Sequence, residues 1–294
     1  MKFIKTKTIL ANVKYGNEWY GIDYNMNLYR GCPHRCIYCD SRSDCYHIDN
    51  FDIVRGKENA LTILEKELVK KKNKGVIGIG SMSDTYNQLE KEYEQTRGTL
   101  KLISKYGFGY SIDTKSDLIL RDIDLLKEIN SKNNVIIKFT ITTPYDYLSK
   151  IIEPNVCVSS KRFKAIKILS QNNIFVGIMM NPVLPFITDK EDDIKKIVKL
   201  AYESGAKFIH TYMGMTLRDK QREYYYDKLD KNFIGLKEKY IKNYKSYYCK
   251  TLNYKKLYRI FTDECDKYGI LYNMEDIIKA YKKEIKTNQQ MSLF

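Results

Sequence analysis

Asn27-Leu28-Tyr29-Arg30-Gly31-Cys32-Pro33-His34-Arg35-Cys36-Ile37-Tyr38-Cys39 is the stretch around which the rest of the chain is organised. It places three cysteines at C-x3-C-x2-C spacing near the N-terminus. Thiolates are the usual ligands of iron–sulfur clusters, and short spacings let one loop supply several. A [4Fe-4S] cubane bound by three cysteines keeps one iron without a protein ligand, which points to a reactive site. Zinc is the rival reading. A structural zinc site takes four ligands, usually as two pairs, so His34 or Cys45 would have to complete it. Gly31 and Pro33 mark a turn, where apolar packing is a poor reason for cysteines.

Composition sets the outer limits. A chain of 294 residues is long enough for one large domain or a domain with an appendage. The seven cysteines include one tight group, and an odd count with such a group argues for a reducing cytoplasm and a metal site, not a disulfide framework. Cys157, Cys249 and Cys265 lie far apart and read as ordinary small apolar residues. No apolar run approaches a membrane span, and Met1-Lys2-Phe3-Ile4-Lys5 lacks the core of a signal peptide, so a cytoplasmic protein without a membrane anchor is expected. Lys and Arg number 51 against 36 Asp and Glu, a net charge of +15 that favours a polyanionic partner. A Lys-, Ile-, Asn- and Tyr-rich composition also follows from AT-rich coding, so charge alone decides little.

Residues 1–26 read as an irregular or short-stranded leader. Beyond the cysteine loop, helical patterns at 57–72, 90–105, 118–130, 160–171 and 190–204 alternate with strands at 75–80, 107–113, 135–141, 174–180 and 207–212. Strands separated by helices imply parallel βαβ units, and five or six of them fit an incomplete (β/α)6 barrel over 27–215. Chemistry in such barrels sits at the C-terminal ends of the strands. Residues 216–285 are Lys- and Tyr-rich, with helical patterns at 217–230, 233–246, 252–268 and 275–285. Tyr224-Tyr225-Tyr226 and Tyr247-Tyr248 are able to stack bases, but covering a helical core is the more ordinary role.

The cysteine spacing, with aromatic Tyr38 directly before the third cysteine, resembles the signature of the radical S-adenosylmethionine (radical SAM) superfamily. That resemblance implies an α/β fold, the incomplete (β/α)6 TIM-like barrel of the radical SAM type with a C-terminal helical extension. It implies that Cys32, Cys36 and Cys39 hold a [4Fe-4S] cluster and that S-adenosylmethionine chelates its open iron. An electron then cleaves the sulfonium to a 5′-deoxyadenosyl radical. Gly80-Ser81-Met82-Ser83-Asp84-Thr85-Tyr86, Glu90, Thr96-Arg97, Thr114-Lys115-Ser116 and Arg121-Asp122 resemble the spore photoproduct lyase-like branch. Thr140-Ile141-Thr142-Thr143, Glu153-Pro154 and Arg162 continue the likeness, which runs from about Asn27 to His210.

Within that resemblance Lys115, at a strand end, is the cation for the carboxylate of S-adenosylmethionine. Ser81 and Ser83 share a face near its amino group, and Thr140 and Thr142 share a face for ribose or methionine. Tyr38 packs against adenine. Arg30 and His34 stay open between bonding cluster sulfides and contacting phosphate. The branch also implies a hydrogen-donating cysteine after the second strand, where this chain has Met82, whose thioether has no S–H to give. Cys45 and Tyr86 are the alternative donors, and Asp84-Thr85-Tyr86-Asn87 replaces the branch's Asp-Pro-Tyr-Gln.

Residues 286–294 form a tail whose last five, Gln290-Met291-Ser292-Leu293-Phe294, resemble the pentapeptide that binds the bacterial DNA sliding clamp. Gln290 would supply amide hydrogen bonds, and Leu293 and Phe294 adjacent apolar anchors. The expectation is a radical SAM enzyme acting on a damaged or modified base in DNA. It would be recruited by the clamp and reduced by a flavodoxin- or ferredoxin-type donor. Two other readings stay open: the same chemistry on RNA or a peptide, and a non-catalytic clamp-associated metal-cluster protein.

Overall fold

A computed structural model describes residues 2–14 and 18–282. Its main sheet has seven strands in strict sequence order. They are β1 (Leu10–Asn12), β2 (Tyr24–Met26), β3 (Val76–Ile79), β4 (Gly109–Thr114), β5 (Val135–Thr140), β6 (Phe175–Met180) and β7 (Ile209–Thr211). β1 pairs antiparallel with β2, and every other neighbouring pair is parallel. Six parallel strands in order, not closed into a ring, are the arrangement expected of an incomplete (β/α)6 barrel. The first of them lies within the 1–26 leader, because Tyr24–Met26 is too short to register as a strand by alternation.

Alternation along the strands builds two cores. On β5, Val135, Ile137 and Phe139 pack outward among the helices. Ile136 packs inward with Val76, Met179, Phe208 and Tyr20. Helix Met274–Tyr281 joins that inner core through Ile277 and Tyr281. Tyr281 stacks near Phe175, at the start of β6, with ring centroids 6.0 Å apart. The N-terminal end of the barrel is thereby plugged, and the C-terminal strand ends are left for the site.

Three local departures from the sequence reading matter below. The helix expected over 90–105 is broken at Glu94, whose φ is 46°, into Glu90–Tyr93 and Gln95–Tyr106. Glu90 causes the break to be useful: its buried carboxylate accepts from Thr96 N–H at 3.0 Å and so caps the second helix. A helix at Asp146–Ile152 follows β5. The 216–285 region is not wholly helical, since Gly214–Thr216 pairs antiparallel with Tyr248–Lys250. Among the described residues no helix is long and apolar enough to cross a membrane. The tail residues Gln290, Leu293 and Phe294 lie outside the described residues.

Candidate cluster and cofactor site

The cysteine loop is pinned from several sides. Cys32 N–H donates to Phe51 O at 2.8 Å, Ile37 N–H to Ile152 O at 2.9 Å, and Cys39 N–H to Cys36 O at 3.3 Å. Gln221 donates its amide to Tyr38 O at 2.9 Å. Gly31 turns the loop with φ +82°, and a Cβ there would stand 2.5 Å from Ile53 O and 2.7 Å from Phe51 O. Gly31→Ala is therefore expected to cost about 1–3 kcal/mol in backbone strain alone. A lower urea midpoint and less iron retained after reconstitution are the readouts; an unchanged midpoint would show that the loop relaxes around a side chain.

Cys32 and Cys36 are buried and Cys39 is partly so. Burial pushes all three thiols up, Cys32 to about 12, and Cys39 and Asp84 add to that rise. Thiolates crowded this way out of water need cationic compensation, which a metal cluster supplies while displacing their protons. Neither zinc candidate completes the set. His34 is buried with Nδ1 3.6 Å from Asp84, and Cys45 is exposed with its sulfur 3.6 Å from Arg218. The three-thiol loop fits an iron–sulfur cluster.

Cys39 edges a cavity of about 480 Å³. Strand ends build its walls, as the barrel rule requires. Ser81 follows β3, Asp113 lies on β4 and Lys115 just past its end, Thr140 ends β5, and Asn181 and Tyr212 follow β6 and β7. Trp19 and Tyr248 stand at its rim, each substantially exposed. Lys115 is the one lysine or arginine among the described lining residues. Burial would lower its pKa, but Cys36, Glu153, Asp84 and Cys39 outweigh burial and hold it above the usual lysine value. Its ammonium lies 5.8 Å from the Tyr38 ring centre. A half-buried, firmly charged lysine near the Cys36 and Cys39 thiols and a strand-end hydroxyl is suited to an anionic cosubstrate.

Behind this wall lies a fully buried ion pair, Arg162 to Glu153 at 2.5 Å. Tyr38 donates its hydroxyl to the same carboxylate, as does Thr142 at 3.3 Å. Arg162 also donates to Thr140 O at 2.9 Å. Asp84 makes a second hub, accepting from Lys115 N–H at 2.7 Å, Thr114 hydroxyl at 2.9 Å and Tyr86 N–H at 3.0 Å.

The structure brings Tyr38, Cys39, Ser81, Lys115 and Thr140 onto one cavity and leaves other expected residues off it. Ser83 is buried and donates to Gly31 O at 2.6 Å, bracing the cysteine loop. Thr142 serves Glu153 instead. Both expectations assumed strand alternation, but β3 ends at Ile79 and β5 at Thr140, so the chain has already turned. Tyr86 is buried with its hydroxyl on Asp122 at 3.0 Å, and Cys45 sits in an exposed turn. Neither expected donor reaches the cavity, for those reasons. Sequence reasoning missed Trp19, Asp113 and the Asp84 hub. The inward register of β4 is the signal that would have found Asp113.

The family model for the radical SAM superfamily matches residues 26–201. The uncharacterized protein MJ0683 of Methanocaldococcus jannaschii is 36% identical over 175 residues, 58% of this chain and 64% of that protein. The uncharacterized protein Rv2578c of Mycobacterium tuberculosis is 26% identical over 209 residues, 69% of this chain and 61% of its own. The chain thus spans less than two thirds of these relatives. Among solved structures, a mutant of spore photoproduct lyase superposes with TM-score 0.68 at 13% identity, covering 92% of this chain and 81% of that one. Spore photoproduct lyase complexed with dinucleoside spore photoproduct gives 0.64 at 14%, covering 90% and 78%. At such identities the likeness is one of fold. The family match takes in the whole cysteine loop and the strand ends through Asn181, and by it the chain belongs to the radical SAM superfamily.

Proposed function

We propose that this chain is a radical SAM enzyme acting on DNA, on a damaged or modified base. The observation that carries the reading is the meeting of Cys39, Lys115 and Thr140 on one cavity at the barrel mouth. When bound, the [4Fe-4S] cluster and S-adenosylmethionine supply one-electron cleavage of the sulfonium and hydrogen-atom abstraction. Cys32, Cys36 and Cys39 hold the cluster. Lys115 neutralises the cosubstrate carboxylate, Ser81 and Thr140 offer it hydroxyls, and Tyr38 gives it an aromatic edge. The Glu153–Arg162 pair fixes Tyr38.

Support for DNA comes from the fold shared with a lyase solved with a dinucleoside photoproduct, from the net charge of +15, and from exposed Trp19, Tyr212 and Tyr248 around the mouth. Aromatic rims of this kind stack on unpaired bases. A base in a duplex would be flipped out to enter, at a cost of a few kcal/mol. The Gln290–Phe294 segment would recruit the protein to the sliding clamp, and a flavodoxin- or ferredoxin-type protein would reduce it in the cytoplasm.

The test is anaerobic reconstitution, dithionite reduction and an assay for 5′-deoxyadenosine with and without ultraviolet-damaged DNA. Product is expected from the intact chain, rising with damaged strand, and none above background from Cys36→Ala. No product from protein holding a full reduced cluster would sink the enzyme reading. Product indifferent to every DNA tried would sink the substrate.

A further inference from the structure

A small three-stranded sheet flanks the cysteine loop, built from Lys2–Ile4, Arg55–Lys57 and Tyr29–Arg30. It contains no acidic residue. Its register sets Lys2 opposite Arg55 and Arg55 opposite Arg30, so three cations occupy one cross-strand row. Like charges directly opposite each other destabilise a sheet. Lys57, two residues beyond Arg55, stands on the same face. A second cavity of about 270 Å³ opens here, with Lys5, Arg30 and Lys57 in its lining and neither Asp nor Glu. Lys57 is half-buried; burial, with Arg30 beside it, lowers its pKa against the pull of Glu67. Glu67 is already engaged by the N–H groups of Ile9 and Leu10 at 3.1 and 2.8 Å.

Several arginines near the cysteine loop and the strand ends do have carboxylate partners. Arg42 meets Asp52, Arg97 meets Asp122, Arg121 meets Glu90, and Arg162 meets Glu153. A concave surface that gathers cations without such partners carries a focused positive potential, which an outside anion relieves. The site is also next to the chemistry. Ser81 lines the large cavity and Met82 the small one, so adjacent residues of one loop separate them.

We propose that this basic face seats the sugar–phosphate backbone of the DNA strand whose base enters the large cavity, with one phosphate in the smaller cavity. The inference rests on the DNA reading above and names the residues that would hold the strand. Charge complementarity selects the occupant. Phosphates along a strand match a row of cations, and a small tetrahedral anion fits a cavity holding a half-buried lysine better than a convex protein face does. Such contacts position a nucleic acid without reading its sequence.

The experiment measures binding of a fluorescein-labelled single-stranded oligonucleotide to the full, cluster-loaded chain by anisotropy. Salt is varied over about 50–200 mM, where counterion release is read as a slope. The variant is Lys5→Gln/Arg55→Gln/Lys57→Gln. The control, Lys239→Gln/Lys242→Gln/Lys245→Gln, removes the same charge from exposed positions in and just after helix Leu236–Asn243. Three lost phosphate contacts should make the log–log slope shallower by about 2 for a single strand. The control should keep the wild-type slope, and iron content per chain checks that the variant is folded. Equal losses in both variants would overturn the proposal. So would an unchanged slope in the first variant, including the case where only its reduction by a flavodoxin slows, since the face would then serve an acidic protein. If the wild-type chain binds no strand at the lowest salt, the DNA reading itself fails and takes this surface with it.

Discussion

Arg162→Met is expected to destabilise the protein by about 3–5 kcal/mol, the cost of breaking a buried ion pair by removing one partner. Stability margins of whole domains are only about 5–15 kcal/mol. Glu153 would be left fully buried, with the Tyr38 and Thr142 hydroxyls and the more distant Lys115 as company. Burial alone would push its carboxyl up, yet Arg162, Lys115 and Tyr38 together hold it below the ordinary glutamate range. The sign of the pH dependence follows. A carboxylate lowered in the folded state stabilises above its unfolded value of about 4.3 and loses that contribution as pH falls through the folded value. The gap between variant and wild type should be widest near neutrality and should narrow below the ordinary carboxylate range. Urea midpoints across that pH range measure it. Glu153→Gln/Arg162→Met should recover part of the loss, with a coupling of about 0.5–3 kcal/mol. A single variant as stable as wild type at neutral pH would disprove the role given to this pair.

Lys115→Met is expected to weaken S-adenosylmethionine binding by roughly 30- to 4000-fold. Truncating one side of a buried charged hydrogen bond costs about 2–5 kcal/mol, and each 1.4 kcal/mol is tenfold in Kd. Methionine preserves much of the stem that packs in the wall, so the change isolates the charge. No other lysine or arginine among the described lining residues is placed to compensate. Calorimetric titration of cluster-loaded protein gives the affinity. Iron content and the visible absorption band, measured on the same samples, separate lost binding from a lost cluster. Wild-type affinity in the variant would mean that another part of the cavity holds the carboxylate.

The cysteine loop was legible because its thiols are close in sequence, and little tertiary information is needed to bring Cys32, Cys36 and Cys39 together. The strand order was legible for a similar reason, since β3 to β6 are apolar runs separated by helices of regular length. Lys115 and Thr140 fall on the cavity because they stand at strand ends, where a parallel barrel opens. What failed was extrapolation past those ends. Ser83 and Thr142 were assigned by a two-residue period that stops at Ile79 and Thr140, and their hydroxyls bond Gly31 and Glu153. Trp19 and Tyr248 were illegible as cavity residues. They come from distant segments and arrive through packing, Tyr248 on a three-residue strand inside a region that reads as helical. Tyr225, by contrast, is buried in the helical core as the more ordinary reading held.

The bond from Gln221 to the Tyr38 carbonyl has a consequence for the order of events during biosynthesis. It joins positions 183 residues apart, and the Tyr38–Glu153 bond spans 115. Contacts of such long range form late, after the loop-closure entropy of the intervening chain has been met. The cysteine loop is made before helix Gln221–Asn232, and its bond from Gln221 closes only once that helix has docked. Until then its thiols belong to a nascent chain open to oxidation and to stray metal. Cluster loading is therefore expected to be complete only in chains where that helix has docked.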